Sequence, residues 1–224
     1  MDWSPLEISL KTALISTAIT LVIGTLAAYY VIKLNSILKG IVDGILTLPM
    51  VLPPTVVGFF LLKIFGINGV VGKFFIEVFQ TKIVFSFSAT VISSTVVAFP
   101  LLYRSVRGTF EQLDKNLVYS AKTLGMSNPS IFLKVVIPNS RAGILAGCVL
   151  AFARALGEFG ATIMLAGNLP GRTRTISTAV YSAMASGDDE LAYKWVLVNL
   201  AISFTVVLAM NILSSRTRRE RGAQ

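Results

Sequence analysis

The amino-acid sequence predicts an all-α membrane protein with about five transmembrane helices. Of its 224 residues, 54% are hydrophobic and only 14% are charged, whereas an ordinary soluble domain has roughly 25% charged residues. One soluble core of this size would not bury so many apolar side chains, so most of them must face lipid. The length suffices for about five spans of ~20 residues and their loops, without a large soluble domain. We therefore treat residues 1–224 as a single membrane domain.

Five apolar segments are each close to the ~20 residues that a membrane-spanning helix needs. They lie at roughly 10–32, 41–65, 83–103, 142–166 and 194–213. A long polar segment, 104–141, separates the third predicted span from the fourth.

The connecting segments fall on alternate sides of the predicted membrane. The group formed by 33–40, 104–141 and 214–224 holds twelve Lys and Arg residues, and the opposite group holds seven. The side richer in these residues is expected to be cytoplasmic, which places the N-terminus outside and the C-terminus inside. The net charge of +9 does not indicate a nucleic-acid partner, because the basic residues border apolar runs instead of forming one stripe.

The composition excludes several chemistries. The chain has no histidine and one cysteine, Cys148, so it has no histidine-based catalytic pair, no intrachain disulfide and no Cys or His cluster for a metal. No G-x-x-x-x-G-K-[ST] motif occurs, so the chain has no P-loop for ATP. We predict no catalytic residue and no metal site.

The second predicted span contains three prolines, Pro49, Pro53 and Pro54. Each proline removes a backbone donor and displaces the carbonyl four residues before it, so the helix must kink or break. In lipid the freed carbonyls need protein or water partners. Two interpretations are open: a kinked packing helix, or a broken backbone that lines a translocation path.

The fourth predicted span carries a charged pair, Arg154 and Glu158, which are one helical turn apart. Ionised side chains at membrane depth are costly, and they usually pair or line a cavity. One interpretation is a neutralising salt bridge. The other is a polar point on the path, with Arg154 available to an anion.

Small residues recur every four positions on the same span, at 143, 147, 151 and 155. Such a stripe lets another helix approach closely. It is mostly a packing signal, and a dimer face is an alternative.

Hydroxyl side chains are frequent in the third predicted span, and Ser93 and Ser94 lie near its centre. Hydroxyls can donate to a passing oxyanion. In spans they more often bond to the carbonyl four residues earlier or pack closely, so both interpretations are kept.

The polar segment 104–141 predicts two short helices around a turn. The first runs roughly from Leu117 to Leu124 and stops at Gly125, a residue suited to a left-handed helix end. The second begins at Ser127 with Pro129 in its first turn, a polar N-cap followed by an early proline. It is expected to end near residue 135, with Pro138 separating it from the fourth span. A pair of helices at a membrane surface could dock a soluble partner.

This segment resembles the E-A-A…G…I-x-L-P coupling loop of ABC importer permeases. The residues that carry the match are Ser120, Ala121, Gly125, Val135, Ile137 and Pro138. Tyr119 stands where the family has glutamate, and Ser120 stands where it has its first alanine. The spacing from glycine to proline is intact.

Three further segments resemble the permeases of molybdate ABC transporters. They are LAFARALGEFGAT at 150–162, LPMVLPP at 48–54 and NLPGRTRT at 168–175. The resemblance covers essentially the whole chain. Sulfate permeases share the Gly-Glu-Phe-Gly-Ala element but usually have longer chains, and tungstate permeases are a further near relation.

The resemblance implies a type I ABC importer permease fold in a prokaryotic inner or plasma membrane. It also implies a homodimer, two cytoplasmic ATPase subunits that bind ATP and magnesium, and an extracytoplasmic molybdate-binding protein facing the segments 66–82 and 167–193. The expected mechanism is alternating access. Three alternatives remain: a permease for tungstate or sulfate, an ion-coupled secondary transporter, and a membrane scaffold or intramembrane enzyme that transports nothing.

The uneven distribution of Lys and Arg yields a topology prediction. A reporter fused after Gln224 should be cytoplasmic, and a reporter inserted at residue 75 should be external, because the positive-inside bias orients the spans. Alkaline phosphatase and green fluorescent protein fusions measure both positions. A cytoplasmic signal from residue 75 would overturn the arrangement with five spans.

Overall fold

A computed structural model describes residues 2–222 of the chain, without the side chains of 207 and 209–222. The described residues form helices joined by short connections, and no strand occurs among them. The helices of the first half are α1 (Ser4–Val31), α2 (Ser36–Val51), α3 (Pro54–Phe65), α4 (Val70–Phe79), α5 (Phe87–Glu111) and α6 (Lys115–Thr123). Those of the second half are α7 (Asn128–Ile131), a π-helical turn (Phe132–Val136), α8 (Ile137–Asn139), α9 (Arg141–Leu156), α10 (Gly160–Leu165), α11 (Ile176–Ala185) and α12 (Asp189–Gly222).

The centre of the fold is a bundle of α1, α5 and α9. Small residues allow these helices to approach closely. A β-carbon at Gly147 of α9 would lie 3.1 Å from the Ser105 side chain of α5, and one at Gly143 would overlap Thr109. Ser105 also donates a hydrogen bond to the Gly143 carbonyl at 2.9 Å. The small-residue stripe therefore packs within the chain, and the alternative of a dimer face is wrong for this surface.

The two groups of connections predicted from the Lys and Arg distribution lie at opposite ends of the bundle. At one end, Lys39 near the start of α2 forms an ion pair with Glu111 at the end of α5. At the other end, the backbone N–H of Ile176 donates to the Ser9 hydroxyl at 2.8 Å. The N–H of Phe85 donates there to the Leu165 carbonyl at 3.2 Å.

The helices that correspond to the predicted spans begin and end at other residues than the sequence predicted. Among the described residues, α1 and α5 are each long and apolar enough to cross a membrane. Helix α5 continues to Glu111, eight residues past the predicted end at 103, because Val106 and Phe110 keep one face of it in the core. The fifth predicted span, 194–213, lies within α12, and the side chains of 207 and 209–213 are outside the described residues.

Two of the predicted spans are broken. Helices α2 and α3 meet at 111°, at Leu52 and Pro53, as the prolines predicted. The fourth predicted span, 142–166, was expected to be continuous, but it divides into α9 and α10 around Gly157 and Phe159. Helix α9 also bends by 76° from the preceding helical segment, Asn128–Asn139.

Helices α3 and α10 pack against each other through a glycine. A β-carbon at Gly58 would lie 2.7 Å from the Met164 β-carbon and 2.8 Å from the Ala161 α-carbon. Since a backbone atom is among these neighbours, a side chain at this position would force the two helices apart.

Replacement of Gly58 by alanine should lower the free energy of unfolding by about 1–3 kcal/mol, the usual cost of overpacking. The matched control is Gly44→Ala in α2, where a β-carbon meets nothing within 4 Å and the better helix propensity of alanine is worth up to ~1 kcal/mol. Thermal unfolding of the full chain in detergent measures both changes. Equal melting temperatures for the two variants would contradict the close packing of α3 on α10.

Candidate translocation path and coupling segment

The breaks in the two interrupted spans lie directly against each other. A β-carbon at Gly160, the first residue of α10, would be 2.9 Å from the Pro54 β-carbon and 3.1 Å from the backbone nitrogen of Thr55. The start of α10 therefore contacts the start of α3. Irregular backbone at membrane depth is tolerated where it is buried in protein or lines a cavity, and this contact provides the protein partner.

Glu158 connects the two halves of the broken fourth span. Its Oε1 atom accepts a hydrogen bond from the backbone N–H of Ala161 at 2.7 Å and so caps α10. Its Oε2 atom lies 2.6 Å from Nη1 of Arg154 in the last turn of α9. The Glu158 side chain is 1% exposed and that of Arg154 is 31% exposed. The structure therefore contains the salt bridge between Arg154 and Glu158. The Arg154 guanidinium also remains partly accessible beside the junction of the two broken spans.

The hydroxyl side chains of Ser93 and Ser94 in α5 are buried among the helices. Ser93 donates to the Ala89 carbonyl at 2.9 Å, and its oxygen lies 3.0 Å from the Thr162 hydroxyl of α10. Ser94 is buried as well. In this conformation Ser93 joins α5 to α10, which favours the packing interpretation for it.

The three prolines of the second span have different surroundings. Pro49 lies inside α2, in its last turn. The Pro53 carbonyl accepts hydrogen bonds from the N–H groups of Val56 and Val57 at 2.9 and 3.2 Å. Pro53, the residue at the break, is therefore also the N-cap of α3. Pro54 is the first residue of α3 and contacts Gly160. These prolines set the direction of α3 toward α10.

The segment between α5 and α9 forms the predicted pair of short helices. Helix α6 ends at Thr123, and the chain turns two residues later at Gly125, whose φ of +74° is left-handed. The N–H of Met126 donates to the Ala121 carbonyl at 3.1 Å, and the N–H of Gly125 donates to that of Lys122 at 2.9 Å. These two bonds constitute a Schellman motif, and the left-handed turn predicted at Gly125 is confirmed.

The second short helix is longer than expected. Ser127 stands at its N-cap, and its carbonyl accepts the Ile131 N–H at 2.9 Å. The helical path passes through the π-helical turn and Pro138 to Asn139. The separation from α9 falls at Ser140 and not at Pro138, because proline is tolerated in the first turn of the short α8.

The pair of short helices has one face in the core and one face exposed. Ala121, Ile131 and Val136 are buried in the same apolar cluster as α1, α5 and α9. The motif residues Ser120, Gly125, Ser127, Pro129 and Pro138 are exposed, and Val135 and Ile137 are half-buried. Leu124 is 80% exposed. The segment is thus anchored in the bundle and has an exposed outer surface.

An ionic cluster between α2 and α5 escaped the sequence analysis. Arg107 pairs with Asp43, and its Nε atom lies 3.2 Å from Glu111. Glu111 also pairs with Lys39. Two sequence features mark members of this cluster without pairing Asp43 with Arg107: a lone carboxylate, Asp43, inside an apolar segment, and the spacing of Arg107 and Glu111 by one helical turn.

The fold is that of ABC importer permeases. The chain superposes on an inward-facing structure of the MetNI methionine ABC transporter with a TM-score of 0.67 and 16% identity, covering 96% of this chain and 93% of the other. It superposes on a bacterial alginate ABC transporter in complex with an alginate pentasaccharide-bound periplasmic protein with a TM-score of 0.69 and 16% identity, covering 95% and 79%.

Residues 20–219 match the family of binding-protein-dependent transport system inner membrane components, and the chain belongs to this family. It is therefore a membrane-embedded transport permease. It is 38% identical to the molybdenum transport system permease protein ModB of Haemophilus influenzae and 34% identical to that of Escherichia coli, each over 99% of this chain and 97% of the relative. The sulfate transport system permease protein CysT of Salmonella typhimurium is 30% identical over 95% of this chain and 76% of its own length.

The two bonds of Glu158 predict a distinctive pattern of variants. Arg154→Ala should destabilise the chain by about 3–5 kcal/mol, because it leaves a buried carboxylate without its partner. Arg154→Ala combined with Glu158→Gln should recover most of this loss, since the amide oxygen can still accept the Ala161 N–H. Arg154→Ala with Glu158→Ala should recover less, since α10 loses its cap. Thermal unfolding in detergent ranks the three variants, and an unimpaired Arg154→Ala single variant would contradict a stabilising ion pair.

Proposed function

We propose that this chain is the permease subunit of an ATP-driven ABC importer of molybdate that works by alternating access. The proposal rests on the structure of the residues between α5 and α9, which we call the coupling segment. It has the family's glycine in the required left-handed conformation, a buried anchor and an exposed outer face. A segment built in this way can receive movement from a soluble subunit and pass it to the bundle.

The proposed partners follow from the family and from this outer face. Two ATPase subunits, which bind ATP and magnesium, contact the coupling segments of this chain and of a second copy of it. This places the end that holds α6 and the start of α2 in the cytoplasm, with the N-terminus of α1 outside. The opposite end, with the segments 66–82 and 167–193, faces an extracytoplasmic molybdate-binding protein. The alginate transporter structure, which includes a periplasmic protein, supports this last partner by analogy.

The proposed path runs past the junction of the two broken spans. Pro53, Pro54, Arg154 and Glu158 lie at this junction, and Pro49, Ser93 and Ser94 lie on the helices that lead to it. Because Glu158 neutralises Arg154 in this conformation, the guanidinium offers an oxyanion a weak and brief contact. Weak contact suits a transporter, since a tight site would hinder release. Selectivity then belongs mainly to the binding protein.

The comparison with relatives supports molybdate as the substrate over related oxyanions. The ModB proteins of Haemophilus influenzae and Escherichia coli match this chain and their own lengths almost end to end, whereas the chain covers 76% of the sulfate permease. Tungstate has the same charge and tetrahedral shape and is the second candidate substrate. An ion-coupled secondary transporter is disfavoured, because it has no ATPase subunit for the coupling segment to contact.

Replacement of Gly125 by aspartate tests the coupling role. A β-carbon at its φ of +74° costs roughly 1–2 kcal/mol, which is too little to unfold the bundle but enough to tilt the coupling segment. We expect normal amounts in the membrane, weak binding of the ATPase and at least a tenfold loss of molybdate uptake. Co-purification of the ATPase and uptake of radiolabelled molybdate measure the two effects.

The matched control is Gly187→Asp. Gly187 has a similar φ of +77°, and a β-carbon there also meets nothing within 4 Å, but it lies at the opposite end of the bundle. This variant should retain the ATPase. If Gly125→Asp binds the ATPase and transports at the wild-type rate, the segment is not the coupling element. If wild-type uptake persists without ATP hydrolysis, the chain is not an ABC permease subunit.

A further inference from the structure

A cavity of about 400 Å³ lies under the coupling segment, beside the end of α1. Its floor is apolar and includes Ile32, Val118 and Val136. Lys33, Lys115 and Lys122 line it together, although they come from two separate connections of the chain. An apolar floor beside three ammonium groups suits an amphiphilic anion better than a fully hydrated one.

The charge in this cavity is strongly positive. One carboxylate, Glu111, also lines it, but Glu111 already pairs with Lys39 and with Arg107. The ion pairs found among the described residues do not involve the three lysines of the cavity. The Lys33 ammonium lies 3.4 Å from the centre of the Tyr29 ring, which holds it beside the cavity. The cavity therefore offers three cations without a matching anion.

An apolar groove of about 370 Å³ adjoins the cavity along α1. Val22, Leu26, Leu133 and Ile144 are among its lining residues. The centroid of the Phe132 ring of the groove lies 4.4 Å from that of the Tyr29 ring of the cavity, so the two spaces are neighbours on either side of this aromatic contact. Val22 and Leu133 are exposed on the surface of the bundle, where lipid has access.

We propose that the cavity and the groove together bind one anionic glycerophospholipid. Its phosphate lies among Lys33, Lys115 and Lys122, and an acyl chain lies in the groove between α1 and the π-helical turn. Basic pockets between membrane helices are suited to acidic lipid headgroups, and the adjoining groove distinguishes a lipid from a soluble phosphate. The bound lipid connects α1 to the coupling segment. That the lipid comes from the cytoplasmic leaflet rests on the proposed function, but the binding itself does not.

The test uses the full-length chain in detergent micelles with phosphatidylglycerol or phosphatidylcholine of the same acyl chains, and native mass spectrometry measures the retained lipid. Wild type should retain phosphatidylglycerol preferentially. The triple variant Lys33→Gln/Lys115→Gln/Lys122→Gln should bind it on the order of 100-fold more weakly, since each lysine near an acidic headgroup contributes about fivefold. The matched control, Lys63→Gln/Lys73→Gln/Lys82→Gln, removes the same charge outside the cavity and should bind as wild type does.

A second variant tests the groove without touching the lysines. Val22→Trp should fill the groove and weaken phosphatidylglycerol binding at least tenfold, while thermal unfolding shows that the bundle is intact. Equal loss of lipid in both triple variants would overturn the site, because it would indicate a nonspecific charge effect. Binding of water-soluble glycerol 3-phosphate as tightly as the lipid, or full retention by Val22→Trp, would also overturn it. If the wild-type protein binds the lipid as expected but its transporter takes up no molybdate, that result would contradict the proposed function alone.

Discussion

The requirement that every backbone polar group in a membrane find a partner governs the centre of this protein. Two of its spans are interrupted, and the interruptions are stable because each is covered by the other. The Glu158 carboxylate is the key contact, since it caps α10 through Ala161 and neutralises Arg154 at the end of α9. The contact of Gly160 with Pro54 brings the second broken span to the same place. One acidic side chain and one glycine thus position the junction that we assign to the path.

The remainder of the fold divides into a firmly packed part and a weakly held part. Helices α1, α5 and α9 form a continuous core, into which the coupling segment inserts Ala121, Ile131 and Val136. Helix α2 has no buried residue. It is held by the ion pairs of Lys39 and Asp43 with α5 and by half-buried Val42 and Leu46, which pack against the core. Helix α2 is therefore held less firmly than α1, α5 and α9, which bury many more apolar side chains.

Local chemistry explains which features could be predicted before the structure was known. Gly125 had one reasonable role, because a glycine between a short helix and a polar N-cap terminates the helix in the left-handed region. The prolines at 49, 53 and 54 predicted an interruption, since proline has no N–H to donate, and the break falls at Pro53 while Pro49 stays inside α2. The break at Gly157 was missed because no proline marks it, and the Arg154 and Glu158 pair is compatible with a continuous helix. The ionic cluster of Asp43 and Arg107 joins residues distant in sequence, which no local pattern could pair.

The sequence by itself determined the class of structure, the approximate spans, the two-sided distribution of their connections and the family that the coupling segment indicates. These properties depend on hydropathy, charge and short-range backbone geometry, all of which can be read from neighbouring residues. Only the tertiary structure decided which surfaces remain free. It assigned the small-residue stripe of α9 to α5 through Gly143 and Gly147, and it brought Lys33 together with Lys115 and Lys122 around one cavity. The physical reason is that packing and long-range charge pairing depend on which helix faces meet, and many arrangements of the same helices satisfy the local rules equally well.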